Sequence, residues 1–170
     1  MSSNETGAAL RPTLGGHLRI ARFDHWVKNV FVLPGVVVAI SMQPDHLDIV
    51  SLFYRTVLGL ISTGLIASSN YVINEILDAP FDLRHPIKKH RPVPSGQVNI
   101  PLGYVQWLVL MALGAAVGLL ISTSFVVTVL ALWVMGIIYN VRPFRSKDKP
   151  YVDVLSEAVN NPLRFLLGWF

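Results

Sequence analysis

Residues 74–96, reading N-E-I-L-D-A-P-F-D-L-R-H-P-I-K-K-H-R-P-V-P-S-G, set three carboxylates and four Lys or Arg side chains at the end of a long apolar run. Carboxylates at Asp78 and Asp82 suit a hard cation that keeps part of its water, and Lys88, Lys89 and Arg91 suit the oxygens of a phosphorylated ligand. The chemistry implied is a magnesium-diphosphate site at a membrane surface. Asn74, Asp78 and Asp82 are four apart, so on a continuous helix they drift by only about 40° per step and share one face. Pro80 predicts that the helix ends or kinks near Asp78, with Asp82 arriving from a loop or a new helix. The plainer alternative for this stretch is a solvated helix terminus. His85-Pro86 and the run Arg91-Pro92-Val93-Pro94 predict an ordered loop, which favours function.

A second cluster follows a later apolar block. Tyr139, Asn140, Arg142 and Pro143 lead into a short basic loop, and Asp153 and Glu157 then stand four apart at the start of another helical pattern. Asp153 alone reads most simply as an acid favoured by a helix N-terminus. Two acidic groups on two helices of one membrane face, each flanked by Lys and Arg, are what two metal ions and a diphosphate require.

The elements that must position these clusters are apolar helices. Hydrophobic residues make up 52% of the 170-residue chain and charged ones 14%, and the apolar residues come in blocks. The stretches 49–77, 102–122 and 125–141 are long enough, or nearly so, to cross about 30 Å of hydrocarbon at 1.5 Å per residue. Three such blocks exceed what a soluble core of this size needs. The block 30–42, with Pro34 and Gly35, is short; it spans only if extended back through Trp26 at the interface and a snorkelling Lys28, and is otherwise re-entrant. The expected fold is an all-α, multispanning transmembrane bundle of about four helices plus the start of a fifth. That fifth helix is entered after Asp153 and stops at Phe170, so a fragment of a longer protein is expected.

Charge orients the bundle. Arg11, Arg19, Arg22 and Lys28 precede the first block; Arg84, Lys88, Lys89 and Arg91 lie between the second and third; Arg142, Arg145, Lys147 and Lys149 follow the fourth. The other two connections carry no Lys or Arg, so the N-terminus and both basic loops are expected in the cytoplasm, the setting being a bacterial inner membrane. Residues 1–16 read as a disordered cytoplasmic tail, and residues 17–170 as the transmembrane domain. No signal-peptide pattern is present. Cysteine is absent, which excludes disulfides and thiol chemistry. The net charge of +4 follows from loop bias and does not point to nucleic acid.

Residues 71–96 resemble the first aspartate-rich motif of the UbiA-type polyprenyltransferase superfamily, N-D-x-x-D-x-x-x-D followed by H-P-x-K-x-x-R-P. The match covers Asn74, Asp78, Asp82, His85-Pro86, Lys88 and Arg91-Pro92, with Glu75 where the family usually has Asp. Asp153 and Glu157 resemble the second motif, D-x-x-x-D, again with one Glu, and Leu163-Arg164 and Gly168 resemble the residues that often follow. The Tyr139 loop resembles the Tyr and basic residue before that motif, the basic residue being one of Arg142, Arg145 or Lys147, with Arg145 as the candidate. Family members have about nine transmembrane helices around a central cavity, so the chain resembles their N-terminal half. The resemblance implies a transferase moving a polyprenyl group from a prenyl diphosphate to a lipophilic or aromatic acceptor. It further implies magnesium held by Asn74, Asp78 and Asp82 and by Asp153 and Glu157. The catalytic carboxylates would be Asp78, Asp82 and Asp153. Lys88, Arg91, Tyr139 and Arg145 would contact substrate.

The segment H-W-V-K-N-V-F-V-L-P at 25–34 resembles the Q-W-x-K-N segment of the decaprenyl-phosphate phosphoribosyltransferase branch. The alternative activity is therefore phosphoribosyl transfer from phosphoribosyl diphosphate to a polyprenyl phosphate, with Lys28 and Asn29 contacting phosphate. A nonenzymatic membrane protein or transporter is a third reading, opposed by acids at helix ends rather than mid-membrane. A phosphatidyl-group transferase of the CDP-alcohol type would show D-G-x-x-A-R, which is absent.

Overall fold

The computed structural model describes residues 11–42 and 48–170. Most of the expected tail, residues 1–10, and residues 43–47 lie outside the described residues. Residues 11–13 are exposed, and helix α1 (Leu14–Ile20) begins inside the stretch expected as tail because the Thr13 hydroxyl accepts from the Gly16 N–H at 3.0 Å. A 3₁₀ segment, Phe23–Val32, runs into α2 (Leu33–Met42), so the first apolar path is Leu14–Met42, 29 residues long. Helices α3 (Ile49–Asp82), α4 (Ile100–Leu119) and α5 (Thr123–Asn140) follow, and all are long and apolar enough to span a bilayer. The amphipathic α6 (Val152–Trp169) closes the described chain.

The starts are set by the sequence. Asp48, Asn99 and Ser122 each accept a backbone N–H of the first turn, from Val50, Leu102 and Phe125 respectively, at 3.1 Å. Of the two outcomes expected near Asp78, an end or a kink, the end does not occur: α3 continues through Pro80 to Asp82. Pro80 removes only one intrahelical donor, and the Leu83 N–H closes on the Ala79 carbonyl at 3.0 Å just beyond it.

Helix α3 is the spine, packed most extensively on α4 and also against α5. Its buried surface is built from small and hydroxyl residues, as suits helices that associate where solvent gives no apolar driving force. Ser62 and Ser69 donate to the Gly114 and Trp107 carbonyls of α4, each at 2.7 Å, and Trp133 of α5 donates to the Ser69 oxygen at 3.1 Å. Trp26 packs against α3. Its ring covers Gly64, where a Cβ would stand 2.6 Å away, and its Nε1 donates to Ser68 at 2.9 Å. Helices α2 and α6 cross backbone to backbone at Gly35 and Gly168, where a side chain on either would run into the other helix's carbonyls.

The three basic segments come together at one end. The Thr13 N–H donates to the Gln97 carbonyl at 3.0 Å, and His17 bonds both Gln106 and the Asn99 N–H, stitching α1 to the loop after α3. That loop is ordered, as expected. His85 Nδ1 accepts the N–H groups of Ile87 and Lys88 at 3.2 Å, and Ser95 donates back to the Arg91 carbonyl at 2.7 Å.

Candidate functional site

The last two turns of α3 carry polar groups on two faces. One face holds Asn74 and Asp78. Asp78 Oδ1 accepts from Arg145 Nη2 at 2.9 Å and from Lys147 Nζ at 2.6 Å, so the loop after α5 is folded onto the end of α3. Lys147 also donates to Asn140 Oδ1 at 2.9 Å, and the same oxygen accepts from Asn74 Nδ2 at 2.5 Å. Burial pushes the Lys147 ammonium below its ordinary lysine value, with Asp78 opposing that shift.

Arg145 is held from every side. Its Nε meets Asp148 at 2.7 Å, its Nη1 the Asn140 carbonyl at 3.3 Å, and its guanidinium lies 5.1 Å from the Phe81 ring centroid. It adopts a left-handed φ of 30°, a conformation that costs a non-glycine residue about 1–3 kcal/mol and persists only where surrounding contacts impose it. Of the three basic residues left open by the sequence, Arg145 and Lys147 reach Asp78, whereas Arg142 is exposed.

The other face holds Glu75 and Asp82. Glu75 is 1% exposed, accepts the Val93 N–H at 3.1 Å and lies 3.5 Å from Arg22. Asp82 is buried and paired with Arg91 at 2.7 Å. Asn74, Asp78 and Asp82 therefore lie on one continuous helix, but Asp78 and Asp82 answer to different partners. Lys88 is exposed in its short 3₁₀ turn, and Asn29 is buried with its Nδ2 unpartnered.

Between these helices lies a cavity of about 680 Å³, walled by the 3₁₀ segment, α3, α5 and α6. Lys28, Asn74, Tyr139 and Glu157 line it, as do five asparagines in all, Asn70, Asn74, Asn140, Asn160 and Asn161. Asp153 starts α6 nearby, tied to the basic loop through the 2.8 Å contact between Ser146 and Ser156. Sequence reasoning missed Arg22 as a site residue, left Lys147 open beside Arg142 and Arg145, and gave Asn140 and Arg164 no role. A usable signal existed for Arg164, the only charge in the apolar run 158–170.

Among the described residues no three Asp, Glu or His side chains converge on one point. The donor chemistry nonetheless fits a hard cation. Asp153 Oδ1 is buried with no hydrogen-bond donor, Glu157 opens onto the cavity, and Asn74 bonds through its nitrogen, leaving its amide oxygen.

The site thus belongs to an all-helical, multispanning membrane bundle with acidic and basic groups gathered at one end of its spans. Residues 30–170 match the UbiA prenyltransferase family, and the chain belongs to it. It is 26% identical to the decaprenyl-phosphate phosphoribosyltransferase of Mycobacterium tuberculosis over 91% of this chain and 50% of that protein. It is also 26% identical to protein y4nM of Sinorhizobium fredii over 86% of this chain and 27% of that one. The fold matches a UbiA homologue from Archaeoglobus fulgidus bound to GPP and Mg2+, with a TM-score of 0.73 and 24% identity over 91% of this chain and 53% of that one. The chain thus spans about half or less of the length of these proteins.

Proposed function

We propose that this chain carries the diphosphate-handling side of a magnesium-dependent UbiA-type transferase that works on a polyprenyl lipid. The observation that carries this reading is the convergence of Asp78, Arg145 and Lys147 on one another, against Asn74, Tyr139 and Asn140 of a cavity wall that Glu157 of α6 also lines. Asn74, Asp78 and Asp82 would hold one magnesium ion and Asp153 and Glu157 another. When bound, magnesium neutralises charge developing on the departing diphosphate. Arg145 and Lys147 hold the Asp78 carboxylate and present cationic N–H groups to phosphate oxygens; Arg91 and Lys88 add positive charge at the rim. The apolar helices around the mouth keep water from the activated carbon.

For the donor, the amide-bearing wall favours a sugar. Asn70 Oδ1 and Asn160 Oδ1 are unpartnered, Asn74 keeps its amide oxygen and Asn161 also lines the cavity, groups suited to the hydroxyls of a sugar, and a prenyl tail uses none of them. This supports phosphoribosyl diphosphate as donor and a polyprenyl phosphate as acceptor, in line with the named activity of the Mycobacterium tuberculosis relative. Prenyl transfer to a lipophilic acceptor is the second reading, favoured by the apolar floor of Phe31, Ala67 and Leu132. Membranes carrying the complete protein and magnesium are given labelled phosphoribosyl diphosphate with polyprenyl phosphate, or labelled prenyl diphosphate with aromatic acceptors. Label in a phosphoribosylated lipid supports the first reading, label in a prenylated aromatic selects the second, and neither product rejects the transferase.

The mouth is proposed to face the cytoplasm, since twelve Lys and Arg flank it. The chain has no cysteine, so Lys89→Cys and Lys149→Cys, both at exposed positions, give clean probes. Each is expected to react with an impermeant thiol reagent only after the membrane is opened. Labelling in intact cells overturns the orientation.

A further inference from the structure

Charge around the cavity has two poles: Asp78 with Arg145 and Lys147 sits against the wall residues Asn74 and Asn140, and only that pole is accounted for by a diphosphate at Asp78. Arg164 of α6 lines the cavity seven residues beyond Glu157, about 10 Å further along the helix. Its Nε is buried without a hydrogen-bond partner, and its guanidinium makes no ion pair among the described residues. Asn160, one turn earlier, has a buried Oδ1 that is likewise unpartnered. A guanidinium left unpaired between helices is costly, so it marks a place where a ligand supplies the missing charge.

Two further cations share this pole. Arg22 reaches the cavity from the start of the 3₁₀ segment, with its backbone at a left-handed φ of 49° and its guanidinium 5.7 Å from the Tyr71 ring. Glu75 stands 3.5 Å behind it and fixes it without closing the cavity. Lys28 lines the same space from about two 3₁₀ turns further on and is exposed. The three cations come from two segments far apart in sequence, so loop charge bias does not account for their meeting at one cavity.

We propose that Arg22, Lys28 and Arg164 form a second anion subsite, specific for a phosphomonoester and separate from the diphosphate pole at Asp78, Arg145 and Lys147. The inference rests on the reading that the Asp78 end holds a diphosphate. A prenyl diphosphate has a single anionic head and leaves the second pole empty. A phosphorylated pentose carrying a diphosphate has anions at both ends, and the phosphate head of a polyprenyl acceptor is the other source of a monoester. Asn160 and Asn161 then lie between the poles, where sugar hydroxyls would stand.

The test uses the complete protein in nanodiscs with magnesium and three probes: inorganic diphosphate, phosphoribosyl diphosphate and polyprenyl phosphate. Arg164→Gln is expected to weaken phosphoribosyl diphosphate at least about tenfold while leaving inorganic diphosphate within about twofold, a loss of one charge-assisted contact. Loss of polyprenyl phosphate binding instead assigns the subsite to the lipid headgroup and equally supports it. Arg164→Lys, which keeps the charge, is expected to restore at least half of the lost affinity and guards against a folding defect, monitored by the melting temperature. Equal weakening of inorganic diphosphate, or no change with any probe, overturns the second subsite. Failure of the wild-type protein to bind inorganic diphosphate with magnesium instead removes the diphosphate reading on which it stands.

Discussion

Two faces of one helix end carry acids of the same kind, and their surroundings differ. On the face toward α5 and α6, Asp78 remains 20% exposed and is met by Arg145 and Lys147, two side chains of a loop that packs against the cavity-wall residues Tyr139 and Asn140. On the face toward the following loop, Glu75 and Asp82 are buried and hold the Val93 N–H and Arg91. The first arrangement leaves charge where a ligand can meet it. The second spends its carboxylates on keeping one loop against the bundle. A motif read as a single acidic strip is thus split by burial into a partly exposed face and a buried face, and in the proposed metal set Asp82 would have to exchange Arg91 for the ion.

The largest effect separates the faces by activity. In the complete protein, Asp78→Asn is expected to lower turnover about 10³-fold, or about 4 kcal/mol, with an unchanged melting temperature in detergent. Turnover within tenfold of wild type would place the chemistry elsewhere. Glu75→Ala reverses the pattern: it strips a buried N–H and Arg22 of their acceptor, and a loss of about 3 kcal/mol in stability is expected from thermal or denaturant unfolding. An unaltered unfolding transition would show that Glu75 does not hold the loop.

Much of this was legible from residue order. The apolar blocks gave the spans because bilayer thickness fixes helix length, and the basic loops gathered at one end as their charge required. The pairing of Asp78 with Arg145 and Lys147 was not legible, since 67 and 69 residues separate the partners and only the packing of α3 on α5 closes the gap. The packing of Trp26 was not legible for a related reason: nothing near it in sequence marks the glycine that receives its ring, Gly64 of α3. Pro80 misled because a proline close to a helix end costs one hydrogen bond rather than the helix.

The basic loop gives the next, smaller contrast. Arg145→Ala removes a contact to Asp78 and three other interactions of the same side chain, and is expected to lower turnover about 30-fold. Arg142→Ala, at an exposed position without those contacts, is expected to stay within about twofold. Initial rates at saturating donor measure both. Equal losses would mean that the loop acts through its net charge rather than through the Arg145 geometry.

The smallest expected effect is the sharpest on the scaffold face. Glu75 occupies the position at which the family motif usually has Asp, so Glu75→Asp tests whether the carboxylate matters for its reach or only for its charge. The Glu oxygen accepts the Val93 N–H at 3.1 Å from inside a nearly closed site, and one methylene less withdraws it from that donor and from Arg22. The loop must then move toward α3, or a water must enter, and either costs about 1 kcal/mol. A melting temperature lower by about 2 °C is expected with turnover within about twofold, because the shortened group faces Val93 and not the cavity. A large fall in turnover at unchanged stability would show that Glu75 serves the ligand after all, and the division of α3 into two faces would fail with it.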